Sequence, residues 1–443
     1  MRTPHVAASC ALALLSSWLC AGLARADGAF PDSLQLSAPP GGRLVLATTF
    51  GLLVSDPQTS QWHWSCEAVT GTNAFLYQTG PSGMIYAVSY DGLKTGAMEG
   101  CGFTEAGGTL ASASVQDVFP DPTNAMRVLA LARRQLPDRT YAAPAVFESQ
   151  DGGRTFGAAL YQAQESEGLT GVEVAQSDSQ TVYVTGVAGG ASLRPFLLSS
   201  HDSGKTWSRH EAEATLGQRY IRLAAVDPVE PRRLYLRVID FSTAAPDVLA
   251  ISDDGGETFR TPLGEDGAPL VLEGPMTAFL RRADGSLLVG VGSAQATRPL
   301  LSSRDGGHTF QAIPGAPHVR ALAERDGLLF VAADNFTDGY AVGRSGDGGA
   351  TWHQVLRYDQ LCGPAPCADV AAACAAQWES VRVTVGIASN ACGTGNPDAG
   401  STPPGPGQGC HCEQPGGPVL FGGLGLLVFY VFRPRRPSGA AGT

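Results

Sequence analysis

The stretch SHDSGKTW, Ser200 to Trp207, sets a lysine and a threonine behind a glycine, the residue types that grip a phosphate in a P-loop. That motif needs a glycine five residues before Gly204, and Ser199 stands there. The SRHEAEATLG that follows is polar and has no helical stripe, so no helix N-terminus waits for an anion. Cys410, His411 and Cys412 bring two thiols and an imidazole together, but in a Gly/Pro-rich stretch without the fourth ligand and rigid turn of a zinc site. No metal and no cofactor is expected. His63, His201, His210, His308, His318 and His353 are scattered, mostly on turns, and read as solvated side chains. Glycoside hydrolysis needs two carboxyl groups about 5 to 10 Å apart, and no spacing along the chain singles out such a pair. A nucleophile-elbow serine is missing as well.

The opening stretch is explained by its copies. SQDGGRTF (Ser149 to Phe156), SDDGGETF (Ser252 to Phe259), SRDGGHTF (Ser303 to Phe310) and SGDGGATW (Ser345 to Trp352) share with it the pattern S-x-D-x-G-x-T-[FW]. From Ser149 through Ser200, Ser252, Ser303 and Ser345 the steps are 51, 52, 51 and 42 residues, a period that demands a repeat architecture. Asp and Gly build the tight turn, Ser and Thr add local hydroxyl bonds, and the final ring enters the next strand. Apolar runs such as AVFES, PFLLS and DVLAIS precede the motif, so each copy joins two antiparallel strands.

Two more strands precede each hairpin, as GVEVAQ and TVYVTGV, YIRLAAV and RRLYLRV, or MTAFLRR and LLVGVG. Weaker copies of the plan run from Leu34 to Trp62 and from Phe75 to Phe103; SYDGLKTG (Ser89 to Gly96) begins too soon after Phe75 for three strands to fit and is a decoy. First strands starting near Leu34, Phe75, Val115, Val172, Ile221, Met276 and Val319 give an all-β fold, a seven-bladed β-propeller of four-stranded antiparallel blades.

The ends carry address signals. Residues 1–26 hold Arg2, an apolar run and the A-x-A spacing of Ala24 and Ala26, a secretory signal cut before Asp27. Residues 27–360 form the propeller and 361–392 a Cys-rich extension; 393–414 are a Gly/Pro-rich stalk. Residues 415–436 contain the uncharged run Pro415 to Phe432, expected to span a membrane, and then Arg433, Arg435 and Arg436 to keep the C-terminus inside. The body is thus expected outside the cell, where disulfides form. Cys66 and Cys101 are expected to bond to each other, clamping the two blades whose hairpins have decayed. Cys362, Cys367, Cys374 and Cys392 form a second group with three connectivities. A net charge of −11 argues against a nucleic-acid or anionic-lipid partner, since phosphate binding is dominated by Lys and Arg, and none is expected.

The five copies resemble the Asp-box, or BNR, repeats of a propeller superfamily that includes sialidases, sortilin-type receptors and some endoglucanases. The resemblance implies that the boxes lie on the face remote from the ligand site, which makes Asp151, Asp202, Asp254, Asp305 and Asp347 structural. The Arg-Ile-Pro motif of sialidases is missing. The stalk, Cys410 and Cys412, the short apolar span and the arginine cluster resemble a MYXO-CTERM sorting tail, which implies processing and display at the surface.

Strand alternation puts the loops between second and third strands opposite the boxed hairpins. These loops vary in length and hold Arg133, Arg134, Arg139, Tyr141, Arg194, Asp240, Arg298, Asp338 and Tyr340, the candidate binding face. The expected function is binding of an extracellular protein or glycan without catalysis, at a bacterial outer surface, with membrane attachment through the C-terminal segment. The alternative is a secreted sialidase-like glycoside hydrolase.

Overall fold

The computed structural model describes residues 30–89, 91–189, 192–241, 245–388 and 392. The expected signal, residues 1–26, the expected stalk, residues 393–414 with Cys410 and Cys412, and residues 415–436 lie outside the described residues. Among those described, no helix is long and apolar enough to cross a membrane.

Seven antiparallel sheets follow one another along the chain, each taking its strands in sequence order. Blade 1 is Ser33–Ser37, Val45–Thr48, Gly51–Ser55 and Trp62–Ser65; blade 7 ends with Val342–Ser345 and His353–Leu356. The first strands of blades 2 to 6 are Leu76–Thr79, Ser114–Pro120, Glu167–Ala175, Tyr220–Val226 and Met276–Arg281, and that of blade 7 is Ala321–Arg325. Each touches the first strands of its two neighbours, and the seventh touches the first, so together they ring the axis. Blade 5 departs from the expected plan. Its fourth position is only a bridge between Ile251 and Arg260, because Pro262 two residues later lacks an N–H to extend a ladder.

Both faces of every blade are covered by other blades, which is why the strands read as continuous apolar runs rather than alternating ones. Leu287–Val291 and Gly51–Ser55 are buried at every position. The core is accordingly divided into seven clusters, one in each seam between neighbouring blades. The most extensive closes blade 7 on blade 1 and takes in the C-terminal extension, with Trp64, Phe330, Leu356, Tyr358, Val370 and Cys374 buried together.

The extension closes the ring. Cys362 N–H donates to the Trp62 carbonyl, Trp64 N–H to Gly363 and Ala365 N–H to Trp64, each at 2.9 Å, so this segment lies along the outer edge of blade 1. Helix α1, Ala368–Thr384, then packs Trp378 against Trp64 with ring centroids 5.7 Å apart. The expected Cys66–Cys101 bond is not formed. Cys66 bonds Cys374, Cys101 bonds Cys367, and Cys362 bonds Cys392. Cys367 and Cys374 are seven residues, or two helical turns, apart and share one face, which the return of the chain to blade 1 sets against the rim of blades 1 and 2. Three disulfides indicate an exported or extracellular protein.

Candidate functional site

Carboxylates gather at the hairpin tips and on the axis. The tips repeat one geometry. Ser252 Oγ donates to Asp254 Oδ1 at 2.8 Å and accepts the Gly256 N–H at 2.8 Å; Thr258 gives its N–H to Oδ1 at 2.9 Å and its hydroxyl to Oδ2 at 2.6 Å. Asp151, Asp202, Asp305 and Asp347 make the same set of bonds. The Thr206 hydroxyl and N–H, with Ser200, hold Asp202 at about 2. At Asp151 burial opposes ionisation, and the bonds from Thr155 and Ser149 outweigh it, again to about 2. Gly256 has φ +97, and a Cβ there would collide with Leu197 of the preceding blade, so both backbone and space require glycine. These carboxylates are engaged by their own turns.

The axis is built differently. Five first strands carry a register shift, at Ser33/Gln35, Val115/Asp117, Leu169/Gly171, Leu223/Ala225 and Met276/Ala278. Such bulges bend a strand and re-aim its side chains. Between the strands lies a cavity of about 380 Å³, lined by the polar Gln35, Gln78, Asp117, Glu173, Arg222 and Arg237 and by the rings of Phe75, Phe119 and Phe279. Phe75 and Thr277, at the starts of first strands, are exposed, which opens the cavity on the face away from the boxed hairpins.

Asp117 Oδ1 pairs with Arg222 Nη2 at 3.2 Å, while Oδ2 accepts the Val172 N–H at 3.1 Å. Glu173 Oε2 accepts the Val226 N–H at 2.7 Å, and Gln35 Oε1 accepts that of Tyr77 at 2.6 Å. Each of these side chains thus reaches the backbone of the next blade. Glu173 Oε1 receives no hydrogen bond from the described residues. Arg237 is taken by Asp247 at 2.6 Å, which also accepts the Met276 N–H at 2.7 Å. Burial pushes Glu173 up to about 7 against the Val226 N–H, with the Asp117 charge adding to the rise. Burial raises Asp117 too, against the pull of Arg222, and raises the Tyr220 phenol beside them.

The fold has neighbours among solved structures. A GH74 xyloglucanase from Xanthomonas campestris matches at 15% identity and TM-score 0.38, over 72% of this chain and 57% of its own. A GH74 enzyme from Niastella koreensis matches at 16% and 0.40, over 75% and 46%. A PL25 ulvan lyase with a bound saccharide matches at 11% and 0.45, over 78% and 97%. The likeness is one of fold. This chain spans about half the length of the GH74 enzymes it matches. No protein-family model matches the chain, and no curated protein matches it in sequence.

The loop residues singled out from the sequence do not line the cavity. Several are braces. Arg298 Nε donates to Glu273 Oε1 at 2.8 Å, a bond that leads those holding Glu273 at about 2. Asp338 meets His318 Nδ1 at 2.9 Å and accepts the Asp334 N–H at 3.0 Å. Arg133 Nε donates to the Ala142 carbonyl at 3.0 Å, and burial pushes Tyr340 up to about 12. Asp240 is partly buried, whereas Arg134, Arg139, Tyr141 and Arg194 are exposed on the loop face. Exposure of aromatic side chains marks the same face. Phe30, Phe75, Tyr141 and Phe336, at 68%, 41%, 37% and 48% exposed, all belong to loops or strand starts on the side where the cavity opens. The axial residues had one signal in the sequence: a lone charge inside an otherwise apolar first strand, as in SVQDVFP, GVEVA and YIRLAAV.

Proposed function

We propose that this chain is an exported Asp-box propeller that binds a glycan without turning it over and is held at the cell surface by its C-terminal segment. The axial cavity carries this reading. Its volume, about 380 Å³, falls in the range of small-ligand sites, which run from about 300 to 1,000 Å³. It offers phenylalanine side chains for the apolar side of a sugar ring, and carboxamide, carboxylate and guanidinium groups for hydroxyls. Such a recess admits a short chain of rings rather than a folded partner; a protein ligand would have to use the exposed Arg134, Arg139, Tyr141 and Arg194 on the rim.

A sialidase grips its substrate carboxylate with free arginines and activates a tyrosine. Here the two arginines lining the cavity already face Asp117 and Asp247, and burial raises the Tyr220 phenol instead of lowering it. Both facts favour binding over hydrolysis. A glycan array probed with the full exported chain tests the proposal, alongside a protein pull-down. The expected result is glycan retention that Phe75→Ala weakens and Asp254→Ala spares. Release of shortened saccharide would establish the hydrolase alternative, and a pulled-down protein with no glycan signal would move the site to the rim loops.

A further inference from the structure

We infer that the axial cavity selects a ligand carrying a protonated amine, which on the glycan reading it rests on means an amino sugar. Two carboxylates, Asp117 and Glu173, face one guanidinium, Arg222, inside the ring; the second guanidinium, Arg237, is closed off by Asp247. The cavity therefore carries one carboxylate more than its own cations balance. That surplus sits at an identified atom: Glu173 uses Oε2 to tie down the Val226 N–H and leaves Oε1 without a donor among the described residues. An ammonium has three donors and no acceptor, so it fits this oxygen and cancels the charge. Phe75, Phe119 and Phe279 line the same space and bound it with apolar side chains, against which the carbon skeleton of the ligand can rest. An anionic ligand would be repelled by these carboxylates, and a neutral one would leave Glu173, which burial pushes up to about 7, to take up a proton of its own, whereas an ammonium stabilises its ionised form.

A purely structural role does not explain the charge. Glutamine would also accept the Val226 N–H, if less strongly, and without the cost of holding a carboxylate where burial disfavours its ionised form. The inter-blade tie by itself thus does not require a carboxylate at this position.

The test is calorimetric titration of the full chain at pH 7 with three probes: a glucosamine tetramer, its N-acetylated counterpart, and n-butylammonium as an amine without a sugar. The glucosamine tetramer is expected to bind at least about tenfold more tightly than the acetylated one. Glu173→Gln is expected to erase that preference while its melting temperature confirms folding. Equal or tighter binding of the acetylated tetramer, or a preference that survives Glu173→Gln, overturns the inference and leaves the glycan reading standing. Glu173-dependent binding of n-butylammonium with neither saccharide bound supports the amine site and sinks the glycan reading. Binding of none of the three overturns both.

Discussion

Blades 3 to 7 and blades 1 and 2 solve the same problem by different means. In blades 3 to 7 the outer hairpin is held by a ring of bonds within eight residues, centred on one aspartate. In blade 1 the equivalent serine has turned away: Ser55 Oγ accepts the Leu44 N–H at 2.7 Å instead of bracing the turn. In blade 2 the turn between Ala97 and Cys101 has no aspartate at all. These are the two blades that the disulfides seize, through Cys66–Cys374 and Cys101–Cys367, with the Gly102 N–H also held by Asp369 at 2.8 Å. A local brace forms as soon as its own hairpin exists. The covalent one spans 308 residues and waits for the end of the chain.

The strongest way to break this contrast is to remove the long-range bond. Cys66→Ser combined with Cys374→Ser is expected to cost about 2 to 5 kcal/mol. Amide exchange should then quicken in blades 1 and 2 and in α1 before it does elsewhere. Exchange that quickens evenly round the ring would mean that the disulfide does not substitute for the missing turns.

Next in size is the local brace. Asp254→Ala is expected to destabilise the fold by about 1 to 3 kcal/mol, since it strands the part-buried Ser252 hydroxyl, which ties the aspartate to the buried Gly256 N–H. Ligand affinity should be unchanged when measured well below the melting temperature; loss of affinity in a folded variant would contradict a structural role.

Acid separates the two halves by a smaller effect. Asp151 and Asp202 are held at about 2, below the ordinary 3.8. With the folded value depressed, the unfolded chain takes up the proton first, so the stabilisation is complete above about pH 4 and is lost as the pH falls through about 2. Exchange at pH 2 with disulfides intact should therefore loosen the hairpin tips of blades 3 to 7 while the clamped rim of blades 1 and 2 keeps its protection. Equal loosening in both would show that the turn aspartates add nothing specific.

The repeat was legible because its chemistry is local: serine, aspartate, glycine and threonine within eight residues define a turn wherever they occur, five strand plans follow from their spacing, and two more are read from the apolar runs upstream. Blade closure was not legible. Nothing near Cys66 or Cys101 in the sequence records that Cys374 and Cys367 return to them, and pairing by proximity along the chain gave the wrong partners. The axial site falls between these cases. Glu173 and Arg222 looked like ordinary strand residues because their position on the ring depends on which strand is innermost, and their direction depends on bulges that one-residue patterns do not reveal. The loop residues were chosen for being charged and variable, yet Arg298 and Asp338 turned out to be occupied by Glu273 and His318.

The smallest effect is also the sharpest test of what makes a brace. Blade 1 retains an aspartate in its hairpin, Asp56, which accepts the Gln58 N–H and the Thr59 hydroxyl, both at 2.9 Å. These bonds hold its carboxyl below the ordinary range, the Gln58 N–H contributing most. By that measure it resembles the five box aspartates. It differs in position, standing one residue after the serine instead of two, and no serine hydroxyl links it to the glycine that a boxed turn would place beyond it. Its bonds are exposed, so water replaces them when they are lost. Asp56→Ala is therefore expected to leave the melting temperature where it was, although it removes the same kind of group as Asp254→Ala. A drop matching that of Asp254→Ala would mean that any aspartate at a hairpin tip suffices, and that the serine and glycine of the motif are incidental. An unchanged melting temperature would place the stabilisation in the complete ring of bonds, and would explain why the blade that lost this ring depends on a covalent bond to the far end of the chain.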